Sequence, residues 1–333
     1  MLDIEARLAR QAVAIAVNKA LEDVKADVRR GVRNLVDLGL LFSRSENQKW
    51  FFGTARQVVE NPKNPYGALV GRLMRDVSPE AIRRVGLNLG YNSLVYGAKK
   101  LRVRQEALGV SIPWALSVDY PSGGGGEERL ACCLREGQEM GIYSYALNIS
   151  GADGLLALAD VLEENADCFF ALRLPGEAVD ARAAAALARV RNAAVVVDLP
   201  EDGALRRLRD EGCLYGVRVP YGDADVGRVT SPQFLRWEIG EGCLFGAYQA
   251  AQGASQRARE AVGAFVRRAR GEHGQPLVAL DWPRDILETG RRMGVGGLMY
   301  VNLTEKTFAL YRDVANPAGA LAELFRRGQG CPT

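Results

Sequence analysis

The stretch Ile112–Ser122, IPWALSVDYPS, decides how the chain is read. Ile112 and Pro113 lead into Trp114-Ala115-Leu116-Ser117-Val118, a short apolar run of the kind a strand covered on both faces needs, and Asp119 falls where that strand should end. Pro121, Ser122 and four glycines, Gly123 to Gly126, follow. In a barrel of alternating strands and helices, the loops after the carboxyl ends of the strands carry the chemistry. Here that loop is made largely of residues without side chains.

Working outward, the pattern alternates strand and helix at regular spacing, which predicts a parallel sheet with right-handed crossovers. The strands expected are Trp114 to Asp119, Tyr143 to Ile149, Cys168 to Leu174, Ala194 to Leu199, Leu214 to Val219 and Phe234 to Ile239. Helices are expected between them at Glu127 to Met140, Gly154 to Asn165, Asp180 to Arg191 and Asp202 to Glu211. A long helix from Ala250 to Arg270 comes next, then a strand Leu277 to Trp282, a helix after Pro283 and a hairpin through Leu298 to Leu303 and Thr307 to Tyr311. On the amino-terminal side, Leu2 to about Leu41 reads as one or two amphipathic helices that Gly31 could interrupt. Helical pieces follow from Trp50 to Val59, from Asn64-Pro65-Tyr66 through Met74, and from a Ser78 cap with Pro79 at the first helical position.

Composition narrows the function classes. The chain has 333 residues, is 48% hydrophobic and carries a formal charge of +3, too small to argue for nucleic acid. The start shows no secretory signal, and the longest apolar run is far short of a membrane span. A cytoplasmic protein is therefore expected, its basic leader packed on the following domain in preference to a membrane surface. The six cysteines, Cys132, Cys133, Cys168, Cys213, Cys243 and Cys331, have neither CxxC nor CxxxCxxC spacing and read as small buried hydrophobes. His273 is the sole histidine and sits in a turn-like stretch, which excludes histidine triads and His-rich zinc sites.

Three segments carry a resemblance. Asn88-Leu89-Gly90-Tyr91-Asn92, then Pro113-Trp114-Ala115-Leu116, then Asp119-Tyr120-Pro121-Ser122 resemble the NLGYN-like, PWA(L/I) and DPTS segments of radical S-adenosylmethionine enzymes. The stretch QEMGIYSYAL and Ala166-Asp167-Cys168-Phe169 extend the likeness. The resemblance implies a partial (β/α)6 TIM-like barrel over 111–248, a helical amino-terminal region over 1–110 and a SPASM-like extension over 249–333. It also implies what is missing. Where the family has a CxxxCxxC loop holding an iron–sulfur cluster, this chain has GGGGEERL; where it has GGEP, this chain has Ser150-Gly151-Ala152-Asp153; and Gly296-Gly297-Leu298-Met299-Tyr300-Val301-Asn302 keeps the extension's hairpin without nearby cysteines. Such a cluster needs thiolate ligands.

The expectation is a pseudoenzyme of radical SAM type: no cluster, no cofactor, with S-adenosylmethionine bound weakly at best, acting as a binding or regulatory partner of an active relative or of its substrate. The alternative is a cluster-independent barrel enzyme or binding protein. Its ligand would be a small anion held by polar residues near the strand ends: Asp119, Asn148, Ser150, Asp153, Arg173, Asp198, Arg218 and Glu238. Opposite charges along this rim could equally pair and plug the barrel mouth. The tetraglycine offers backbone amides to a phosphate, but Glu127 and Glu128 beside it repel one and favour a simple flexible replacement. Asp281-Trp282, with Glu238, is the carboxylate pair open to acid–base work.

Overall fold

The structure is a computed structural model and describes residues 4–42, single positions between 49 and 61, and residues 64–120, 125–198, 203–271, 275–303 and 307–310. The helix expected from Trp50 to Val59, His273 and Cys331 lie wholly or mainly outside these residues. Among the described residues the chain opens with α1 (Ile4–Ala26), α2 (Val28–Phe42), α3 (Tyr66–Asp76), α4 (Pro79–Val85) and α5 (Ala98–Leu108). A π-helical stretch, Gly86–Gly97, joins α4 to α5. Alternation then begins: β1 (Pro113–Asp119), α6 (Glu127–Met140), β2 (Ser144–Asn148), α7 (Ala152–Glu164), β3 (Phe169–Pro175), α8 (Ala181–Arg189), β4 (Ala193–Asp198), α9 (Ala204–Asp210) and β5 (Leu214–Tyr221). After these come α10 (Val226–Val229), α11 (Pro232–Gly240), β6 (Phe245–Ala250), α12 (Gln256–Arg270), β7 (Val278–Trp282), α13 (Arg284–Met293), β8 (Gly296–Asn302) and β9 (Thr307–Leu310).

The strands form one curled sheet in the order β7-β6-β5-β4-β3-β2-β1-β8-β9, parallel throughout except for β9. Because β8 pairs with β1, this is the strand order of an eight-stranded barrel whose seam between β7 and β8 is not hydrogen-bonded. Two expectations are corrected here. The barrel has eight parallel strands rather than six, and the boundary drawn at 248/249 falls inside β6, so β7 and β8 belong to the sheet rather than to a separate extension. The close backbone approach at Gly290, Gly296 and Gly297 makes this possible. A Cβ at Gly290 would lie 2.7 Å from the Gly296 carbonyl oxygen, and one at Gly296 would lie 2.8 Å from the Ile112 carbonyl, so the glycines let α13 lie on β8 and β8 lie beside β1.

Phe234 to Ile239, expected as the sixth strand, is helix α11. Ser231 accepts a bond from the Phe234 amide at 3.1 Å and Pro232 takes the first turn, the cap and proline signature of a helix start. Leu235 and Glu238, three residues apart, are its buried residues. The sixth strand is FGAYQA, whose glycine and glutamine weaken its apolar signal. Likewise the break in the leader falls at Asp27, whose side chain accepts from the Arg30 amide, and not at Gly31.

The core lies between the sheet and its covering helices. In β3 the alternation is complete: Phe170, Leu172 and Leu174 are buried, while Phe169, Ala171, Arg173 and Pro175 are half-buried on the other face. The leader closes the amino-terminal end of that second face. Val77 and Ala81 pack with Leu244, Leu214 and Phe245. Buried Asn88 donates to the carbonyls of Ala166 and Cys168, each at 2.8 Å, and buried Asn92 donates to that of Asp167 at 2.8 Å. Ser93 accepts from Ser144, at the first position of β2, at 2.8 Å. Arg10 reaches Asn88 and Asn92 and pairs with Asp167 at 3.2 Å. The NLGYN segment is thus an anchor for the leader.

Candidate functional site

Register places the polar residues. Asp119, Asn148 and Arg173 are direct neighbours across β1, β2 and β3, with Asn302 of β8 on the other side of Asp119. Asp198 of β4 faces Arg218 of β5. Two clusters result. In the first, Asn148 donates to the Asp119 carboxylate at 2.5 Å and to Ser117 at 3.4 Å. In the second, Asp198 is gripped from both sides: Arg173 Nε donates to one oxygen and Arg218 Nε to the other, both at 2.7 Å. A terminal nitrogen of Arg173 also lies 2.7 Å from Asp198, and Arg218 donates to Gln249 of β6 at 3.1 Å. Gln249 escaped sequence reasoning because its strand was misplaced. The Arg173, Asp198 and Arg218 side chains are 35%, 16% and 22% exposed, at the open end of the sheet and away from the leader.

Other expected site residues lie elsewhere. Ser150 and Asp153 are exposed at the start of α7 and take no part in either cluster. Glu238 is on α11, fully buried, on the helix-covered side. One of its oxygens accepts from Tyr248 at 2.9 Å; the other is buried without a hydrogen-bond partner among the described residues. Burial pushes its carboxyl up to about 7, partly opposed by the Tyr248 bond. Asp281 points at α12 and Arg284, 3.9 Å away, and is held above the usual carboxylate range first by burial and then by Asp285. It does not share a bond with Glu238, so the acid–base pair read from the sequence is not assembled on the rim.

The β1–α6 connection was the other candidate. Tyr120 is buried beside the start of α7, near the point where a Cβ on Gly154 would lie 3.6 Å from its ring, and burial with the Glu127 carboxylate pushes its phenol up to about 12. The radical SAM resemblance implies an iron–sulfur cluster here, and the residues do not fit one. Positions 121–126 read PSGGGG and contain no thiol. Cys132 and Cys133 are buried on α6, where burial drives the Cys133 thiol up to about 12, away from the thiolate a cluster requires. Cys213 and Cys243 are buried with thiols likewise raised to about 12, and among the described residues no group of three His, Cys, Asp or Glu is arranged to hold a metal.

The fold and site therefore define an α/β protein with a curled parallel sheet of barrel order and a polar carboxyl edge. No protein-family model matches the chain, and no curated protein does. Among solved structures it is similar to Streptococcus suis SuiB bound to S-adenosylmethionine, at 11% identity and a TM-score of 0.47, covering 69% of this chain and 67% of that one. Against the expectation of no cofactor stands that S. suis structure, which was solved with S-adenosylmethionine bound. Among the described residues no helix is long and apolar enough to cross a membrane.

Proposed function

We propose that this chain is a binding or regulatory relative of radical S-adenosylmethionine enzymes that performs no radical chemistry itself and acts on an active enzyme of that kind or on that enzyme's substrate. The observation that carries the reading is the loop after β1. A strand, a helix and the folding segments around them are kept, while PSGGGG supplies backbone where three thiolates would be needed. The nearest cysteines, Cys132 and Cys133, are committed to the α6 interior. Two independent adjustments would be required to recruit them, unpacking the helix and lowering a thiol pKa that burial has raised.

S-adenosylmethionine is a ligand within this proposal. It would supply an ammonium and a carboxylate, and the exposed Asp119 carboxylate at the end of β1 suits the first. The partner is tested by in-cell crosslinking of the tagged chain followed by identification of what is attached. The proposal expects one recurrent partner, either a cysteine-bearing enzyme of this fold or a protein that such an enzyme modifies. Recovery of the chain alone, at native abundance, would count against it.

A further inference from the structure

We propose that Arg173, Asp198, Arg218 and Gln249 form a ready-made site for a single carboxylate of a small ligand with an apolar body. The inference rests on the reading of the chain as a binding protein and names the chemistry its sheet edge recognises. Two guanidinium groups share one carboxylate, and Gln249 is neutral, so the cluster carries one uncompensated positive charge in a partly dehydrated setting. Among the described residues neither arginine has a second acidic partner. A structural clamp across β3, β4 and β5 would be neutral with one arginine; the second leaves a charge that an incoming anion would balance.

The donor geometry is specific. Arg173 uses Nε and Nη2 on Asp198, and Arg218 uses Nε on Asp198 and Nη1 on Gln249. One terminal nitrogen on each, Nη1 of Arg173 and Nη2 of Arg218, has no bond among the described residues. A carboxylate has two oxygens to accept from this pair. Both guanidinium planes are already fixed by their protein bonds, so little side-chain entropy is lost on binding. A phosphate dianion would overcompensate the single charge and meet the Asp198 carboxylate. Register puts Ala171, Val196, Ala247 and Leu280 on the same face, beside or just below the cluster, which favours an aliphatic body over a sugar or nucleotide.

The test is isothermal titration of the full-length chain at low ionic strength with butyrate and, separately, with inorganic phosphate. Butyrate should saturate one site per chain, with phosphate about tenfold weaker or worse. Arg218→Gln should weaken butyrate about tenfold, and Gln249→Ala, which removes only the support of Arg218, should weaken it by a smaller factor of about three. Circular dichroism of each variant verifies folding, and the mild Gln249→Ala change keeps the comparison alive if Arg218→Gln unfolds. Absence of saturable butyrate binding, phosphate binding as tight as butyrate, or equal affinity in folded variants would overturn the site and leave the cluster a structural clamp. None of these results bears on radical chemistry, which is read separately from S-adenosylmethionine cleavage.

Discussion

Glu238 gives the structure a pH dependence that can be followed by measurement. Its carboxyl is fully buried, bonded among the described residues to Tyr248 through one oxygen, and pushed from 4.5 up to about 7 by burial. A carboxyl whose folded pKa exceeds its unfolded value holds its proton more tightly in the folded chain. Its stabilising contribution is fully present below about pH 4.5 and is lost as the pH rises through about 7. The rise from 4.5 to about 7 corresponds to about 3 kcal/mol. Urea denaturation of the chain at intervals from pH 4.5 to pH 8.5, compared with Glu238→Gln, isolates this group from Asp281 and every other titrating residue. The glutamine keeps an acceptor for Tyr248 but cannot ionise. The stability difference between the two proteins should therefore shift by about 3 kcal/mol in favour of the variant across that interval, most of it between pH 5 and 7. A difference that stays constant with pH would refute the assignment of a buried, protonatable Glu238.

Further outcomes follow from the leader, the rim and the core. Asn88→Ala removes two bonds to buried carbonyls of the β3 approach and should cost about 2–4 kcal/mol in urea unfolding. Gly97→Ala places a Cβ against the Gly141 carbonyl oxygen, within van der Waals overlap, and should cost at least about 2 kcal/mol or abolish soluble expression, read by thermal unfolding. Asp198→Asn weakens two partly exposed ion pairs and leaves both arginines competing for a neutral acceptor; the cost should be about 1–2 kcal/mol and should shrink in 1 M salt. Trp114→Phe deletes the indole bond to the Ile286 carbonyl at 2.9 Å and should cost about 1 kcal/mol while leaving the sheet intact by circular dichroism.

Much of the architecture was legible because apolar runs and glycine punctuation report strands and crossovers directly. The helix at Glu127 to Met140 and the strand ending at Asp119 match the structure. The failure at Phe234 to Ile239 has a physical cause: an apolar run of six fits either period, and Ser231-Pro232 was the arbiter that should have decided for helix. That one shift moved Glu238 from an imagined rim to the buried side and hid Gln249. Sequence could place Arg173, Asp198 and Arg218 at consecutive strand ends. It could not show that both arginines converge on the two oxygens of one aspartate, because that depends on which way three side chains lean across the sheet. The role of Asn88 and Asn92 was equally out of reach, since their partners are backbone carbonyls some 75 to 80 residues away.

The central claim is that the chain makes no radical, and it is tested most directly by looking for the product of one. The purified chain, incubated anaerobically with iron and sulfide, is reduced with dithionite in the presence of S-adenosylmethionine, and 5′-deoxyadenosine is measured. The account predicts none above a protein-free control, whether or not S-adenosylmethionine is bound. Formation of one or more equivalents per chain would contradict it, and would mean that buried cysteines such as Cys132 and Cys133 leave the α6 interior to hold a cluster.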